Sequence, residues 1–134
     1  MIDPSVAVKW YLTDELCAEA DRILALVETG GALAPALFRW EVQNVLLAAQ
    51  ATGRIDEQGL DEAVASLRAL PIQIEDAGSR LVFGSELALA KSKDITIYDA
   101  AYLALALDRK IPLATADHEL AYAARVSGVT VELI

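Results

Sequence analysis

An α/β three-layer sandwich around a short-stranded, mainly parallel sheet is the fold class that three observations predict. Short apolar segments alternate with helix-length periodic stretches along the whole chain, the signature of βαβ units. The run 100–107 is eight consecutive apolar residues, which suits a helix buried on most sides. The chain has 134 residues, 55% of them hydrophobic, with a mean hydropathy of +0.38; this is enough for one core and excludes a disordered chain.

The elements follow in order. Residues 1–3 form a very short strand and 5–12 a short helix. Thr13 is the expected N-cap of the next helix, with Asp14 and Glu15 in its first turn and Gly30-Gly31 at its end. Residues 32–34 make a brief strand before Pro35. A helix over 36–52 offers Leu37, Val42, Val45 and Leu46 to the core and stops at Gly53. Another over 56–70 carries Leu60, Val64 and Leu67 on one face. Residues 71–75 form a strand, 78–92 and 97–110 helices, 111–115 a strand, 117–127 a helix and 129–133 a last strand. No repeat, linker or low-complexity tract divides them, so 1–134 is one domain.

Composition narrows the function classes. The longest apolar run falls well below the roughly 18 residues of a membrane-spanning helix, and residues 1–9 lack the pattern of a signal peptide. The single cysteine, Cys17, permits no internal disulfide and reads as filler beside helical residues, in keeping with a cytoplasmic protein. Eleven Lys and Arg against 20 Asp and Glu leave a net charge of −9, which repels nucleic acid. A nucleic-acid function therefore needs an added cation or a local gathering of basic residues.

In parallel α/β folds ligands sit beyond the carboxyl ends of the strands, so acidic residues there carry the most information. Asp3 ends the first strand and Asp117 follows the strand at 111–115. Glu41 and Asp99 stand in apolar surroundings near the starts of their helices. Singly, each has an ordinary structural role: Asp99 answers a helix dipole, Asp117 caps a helix and Glu41 is a solvated helix residue. Together, clustered carboxylates need a counter-charge to ionise side by side. Mg²⁺ or Mn²⁺ would supply it; two divalent ions would bring −9 to about −5.

Asp3-x-Ser5-Val6, Glu41-Val42-x-Asn44, Tyr98-Asp99-Ala100-x-Tyr102-Leu103-Ala104-Leu105-Ala106 and Thr115-Ala116-Asp117-x-x-Leu120 resemble, in order and spacing, the motifs of PIN-domain nucleases. The resemblance spans nearly the whole chain and is closest to the VapC-type toxin ribonucleases of toxin–antitoxin pairs. It implies a PIN-like α/β/α sandwich and a metal-dependent endoribonuclease with Asp3, Glu41, Asp99 and Asp117 as its acidic site. Asp3 and Asp99 would be the principal ligands of one or two Mg²⁺ or Mn²⁺ ions, Asp117 would help, and Glu41 would ligate or orient water. Ser5 and Thr115 would hydrogen-bond carboxylates or metal-bound water, while Asn44 shares the face of Glu41 one turn on. It also implies RNA as substrate, a VapB-type antitoxin with a basic tail as partner, and a homodimer or a hetero-oligomer with that antitoxin. Two features depart from the motif: only Met1 and Ile2 precede Asp3, and Pro4 removes a backbone N–H directly after it.

Lys9, Arg39 and Arg54 are candidate phosphate contacts, each near a site segment. His118 at a helix start is read as exposed, and the Trp10-Tyr11-Leu12 and Phe38–Trp40 clusters as core or dimer surface. A phosphotransfer fold of the haloacid-dehalogenase kind wants a second Asp where Ser5 stands. The remaining alternatives are a PIN-fold interaction module and a PIN nuclease that is not a toxin. No segment reads as a base-recognition code.

Overall fold

The computed structural model describes residues 1–12, 14–15, 17–75 and 84–134. Four three-residue strands, β1 (Ala32–Ala34), β2 (Ile72–Ile74), β3 (Leu113–Thr115) and β4 (Val131–Leu133), alternate with seven helices among these residues. The helices are α1 (Pro4–Lys9), α2 (Ala18–Gly30), α3 (Phe38–Ala51), α4 (Glu57–Ala69), α5 (Glu86–Lys93), α6 (Ile97–Arg109) and α7 (His118–Val126). The expected α/β fold with short parallel strands is the fold observed.

The strands pair in parallel as β1 with β2 and β3 with β4. Residues 1–3 join these pairs, although they register as a single bridge, Ile2 to Ala114, instead of a full strand. On the β3 side, Met1 N donates to Pro112 O, Ala114 N to Met1 O and Asp3 N to Ala114 O. On the β1 side Ile2 N donates to Leu33 O at 3.2 Å. The order across the sheet is therefore β2, β1, segment 1–3, β3, β4. The chain winds outward on one side and then returns to the other, so the topological switch point lies between segment 1–3 and β3. Ligand crevices form at that place, at the carboxyl ends.

The core explains the apolar patterning. Leu103 and Leu105 of α6 are fully buried, with Leu113 of β3, Leu46 of α3, Leu120 of α7 and Val6 of α1. The stretch 100–107 is thus a helix sealed on most sides, as its composition predicts. Trp10 belongs to this core, its Nε1 donating to Ala20 O at 2.9 Å, and Phe38 is buried as well. Val42 and Leu46 are buried as expected, whereas Leu37 and Val45 are only half-buried. Leu60, Val64 and Leu67 pack at the margin of the core, and Ala63 is the buried residue of α4. No described helix is long and apolar enough to cross a membrane.

The clearest difference from expectation is the start of α2. It begins at Ala18 behind Cys17, which is half-buried and gives no side-chain cap. Asp14 and Glu15 precede the helix and face Arg54, which donates Nε and Nη2 to Asp14 at 3.0 and 2.9 Å and Nη2 to Glu15 at 2.5 Å. A bidentate guanidinium holds acidic residues more firmly than a helix dipole does. Thr13, the expected cap, lies outside the described residues, as does much of the first half of the helix expected over 78–92. Of that helix, Gly84 and Ser85 precede α5, which starts at Glu86.

Candidate active site

Pro4, a departure at the level of sequence, explains itself in the fold. Proline's fixed φ and missing N–H cost nothing at the first position of a helix, where the N–H would lack an intrahelical acceptor anyway. Asp3 is the N-cap of α1, its Oδ1 accepting from Val6 N at 3.2 Å. Segment 1–3 therefore ends and the helix begins at one carboxylate, which is 3% exposed.

Two hydroxyls fix that carboxylate. Ser5 Oγ donates to Oδ1 at 2.6 Å, and Thr115 Oγ1, from the end of β3, donates to Oδ2 at 2.5 Å. The same hydroxyls accept in turn, Ser5 Oγ from Ala116 N at 2.7 Å and Thr115 Oγ1 from Asp117 N at 2.9 Å. This network spans the switch point and ties segment 1–3 to the β3–α7 turn. Burial nonetheless pushes the Asp3 carboxyl up to about 6, against the pull of its three hydrogen bonds and with a small push from Asp117.

Asp117 caps α7, Oδ1 accepting from Glu119 N at 2.7 Å and from Leu120 N at 3.0 Å. On the other side of the site, Asp99 sits in the first turn of α6. Its backbone N donates to the Thr96 cap hydroxyl, which donates back to Asp99 Oδ2 at 2.7 Å, a reciprocal cap. Glu41, in the first turn of α3, accepts at Oε2 from the Tyr102 hydroxyl at 2.6 Å. Partial burial raises the Glu41 carboxyl and the Asp99 charge adds to that, while Tyr102 opposes both. Tyr102 is itself held well above the usual phenol range, first by burial and then by Glu41; the charges of Asp3 and Asp99 act on it too. Its position between the two sides makes it the site residue that carboxylate counting missed. The signal was in the sequence: Tyr102 follows Asp99 by three residues and so shares its helical face.

Sequence and geometry together decide the family. The PIN domain family model matches residues 1–126. The chain belongs to the PIN domain family. Its fold is similar to the crystal structure of PAE2754 from Pyrobaculum aerophilum, with a TM-score of 0.67 at 19% identity, over 98% of this chain and 87% of that one. Among curated proteins, none matches. The PIN fold is a nuclease fold.

Carboxylate oxygens are the donors that a hard divalent cation takes. A carboxylate has about four lone-pair sites. Asp3 uses three, two on Oδ1 and one on Oδ2, which leaves Oδ2 with one. Among the described residues, the hydrogen bonds of Asp117 fall on Oδ1, those of Glu41 on Oε2 and those of Asp99 on Oδ2. Asp117, Glu41 and Asp99 are each held through one oxygen, and the other accepts no hydrogen bond from the described residues. None of the four carboxylates makes an ion pair among these residues; Asp14, Glu15, Glu75, Asp108 and Glu132 make them instead. Among the described residues no three Asp, Glu, His or Cys come together as a group that could hold a metal ion. Mg²⁺ does not require three, since it is usually held by one or two carboxylates and keeps several waters.

The basic candidates diverge. Arg54 is neutralised by Asp14 and Glu15, so its expected place as a phosphate contact is corrected. Lys9 approaches Glu15 at 3.9 Å. Arg39 is exposed with its guanidinium 5.3 Å from the Trp40 ring centroid, and Asn44 is exposed one turn beyond Glu41. His118 is exposed at the start of α7. Trp40 is exposed too, unlike the buried Phe38 of the same cluster.

Proposed function

We propose that this PIN domain is a Mg²⁺- or Mn²⁺-dependent endoribonuclease acting as a VapC-type toxin, with Asp3, Glu41, Asp99 and Asp117 as its acidic site. The observation that carries this reading is Asp3: a buried carboxylate at the switch point, fixed by two hydroxyls and without a basic partner among the described residues. A carboxylate in that state is costly unless a cation or a proton offsets it. When bound, one or two divalent ions supply that charge, together with acidity for the attacking water and stabilisation of the leaving phosphodiester oxygen.

The chain's own residues do the rest. Ser5 and Thr115 keep Asp3 in one rotamer, so the open lone pair of Oδ2 has a fixed direction. Thr96 does the same for Asp99, and the α7 backbone does so for Asp117. Glu41, with its raised carboxyl pKa, is suited to orient water and take its proton. Arg39 meets a substrate phosphate at the rim. The toxin assignment extends to a cytoplasmic setting, a homodimer and an antitoxin whose basic tail answers the −9 charge of this chain.

Cleavage of total cellular RNA by the purified protein tests the reading. Discrete fragments should form with Mg²⁺ or Mn²⁺ and vanish with chelator and in Asp99→Asn. Metal-dependent cleavage that survives in Asp99→Asn would overturn the site. Co-purification of a small basic neighbour-gene product would support the toxin role, and its absence would leave a PIN nuclease of another kind.

A further inference from the structure

The two sides of the acidic site are built differently. Asp3 and Asp117 are fixed by segments that the strands position, through Ser5, Thr115 and the α7 backbone. Asp99 is fixed by Thr96 within its own helix. Among the described residues, Glu41 alone is fixed from a different helix, and only through Tyr102, 61 positions away in the chain. Tyr102 is 1% exposed, so its hydroxyl has no bulk water as an alternative partner. A buried phenol donates its one proton to one acceptor, and here that acceptor is charged, which makes the bond short and strong. The ring, buried as part of the main hydrophobic core, cannot follow Glu41 if that side chain turns outward.

We propose that Tyr102 is a positioning residue: its hydroxyl clamps Glu41 Oε2 and so presents Oε1 toward the cation side of the site, in register with Asp99. Glutamate has one more rotatable bond than aspartate, so an unclamped Glu41, partly exposed at the start of α3, would spread over several rotamers. The clamp removes that freedom before any ligand arrives. This inference rests on the metal-dependent reading of the same four carboxylates and adds to it a residue that touches neither metal nor substrate.

The experiment uses the full chain in four forms: wild type, Tyr102→Phe, Glu41→Gln and the double variant. Phenylalanine keeps the ring in the core, and glutamine still offers an oxygen to the Tyr102 hydroxyl, so all four forms should melt as single cooperative units. Proton NMR of the metal-free protein should show a slowly exchanging, downfield Tyr102 hydroxyl resonance that disappears in Tyr102→Phe and moves in Glu41→Gln. Calorimetric titration with Mn²⁺ should show Tyr102→Phe weakening binding by about 10- to 100-fold, the range seen when an outer-shell partner is lost. In the Glu41→Gln background the same substitution should change affinity less than about twofold, because the clamp has nothing charged left to hold.

Three results overturn the proposal. The hydroxyl resonance could be absent, Tyr102→Phe could bind Mn²⁺ as wild type does, or its effect could persist undiminished without Glu41. In each of these the nuclease reading stands as long as wild type binds Mn²⁺. If the resonance is present but wild type binds no Mn²⁺, the metal-dependent reading fails and the clamp, having no cation to serve, fails with it.

Discussion

At Asp3 the same residue caps a helix, ends segment 1–3 and carries a charge in the interior. Its folded carboxyl sits at about 6 against an ordinary 3.8, so between those pH values the folded chain holds a proton that the unfolded chain has released. Stability therefore falls as pH rises through that window, and above it the buried charge costs about 3 kcal/mol from this group alone. Asp3→Asn removes the charge and keeps the shape. In chelator at pH 7 the variant should melt several degrees above wild type, and the gap should close by pH 4, where Asp3 is protonated in wild type as well. Thermal melts across that range check it. A variant less stable at pH 7 would mean that the three hydrogen bonds outweigh burial. Divalent cation should reverse the order, stabilising wild type and leaving Asp3→Asn unmoved.

At the scale of elements, what the sequence disclosed depended on whether a feature was local. Helices with their own apolar periodicity, α3, α4, α6 and α7, lie within about two residues of expectation; the strand at 32–34 matches, 71–75 contracts to its centre, and 111–115 and 129–133 keep only their last three residues. The start of α2 was not legible, because Asp14 and Glu15 answer Arg54 from 40 and 39 positions away, and no local pattern encodes that pairing. Asp3 and Asp117 stand out in the sequence because each follows a strand segment; the Tyr102–Glu41 bond, which crosses between two helices, is not marked by any local pattern. Asp117 shows how an ordinary role and a functional one share a side chain. It caps α7 through Oδ1, as a residue at that place often does. Asn caps as well as Asp, so Asp117→Asn should change stability by less than about 0.5 kcal/mol while removing a charge from the site. Asp117→Ala should lose about 1 kcal/mol as well as the charge. If urea unfolding separates the two variants and Mn²⁺ titration does not, cap and ligand are distinct functions of one carboxylate. If Asp117→Asn binds Mn²⁺ as wild type does, Asp117 is only a cap.

Over the whole molecule, a net charge of −9 means that this PIN domain would meet RNA, its proposed substrate, against its own field. Nucleic-acid-binding proteins usually gain affinity by releasing counterions when Lys and Arg neutralise phosphates, and their binding weakens steeply with salt. The basic residues nearest the proposed site segments in sequence are Arg39, whose guanidinium lies over Trp40, and Lys9, close to Glu15. One or two phosphate contacts on a single strand predict a slope of log K against log salt between about −0.7 and −1.4. Screening of the protein's own negative field flattens it further. Anisotropy with labelled single-stranded RNA, using Asp99→Asn to prevent cleavage and KCl as the variable, measures that slope. Arg39→Ala should bring it close to zero. A slope steeper than about −3 would require a basic surface beyond these residues, and the substrate would then be held by that surface instead of by the proposed cation site.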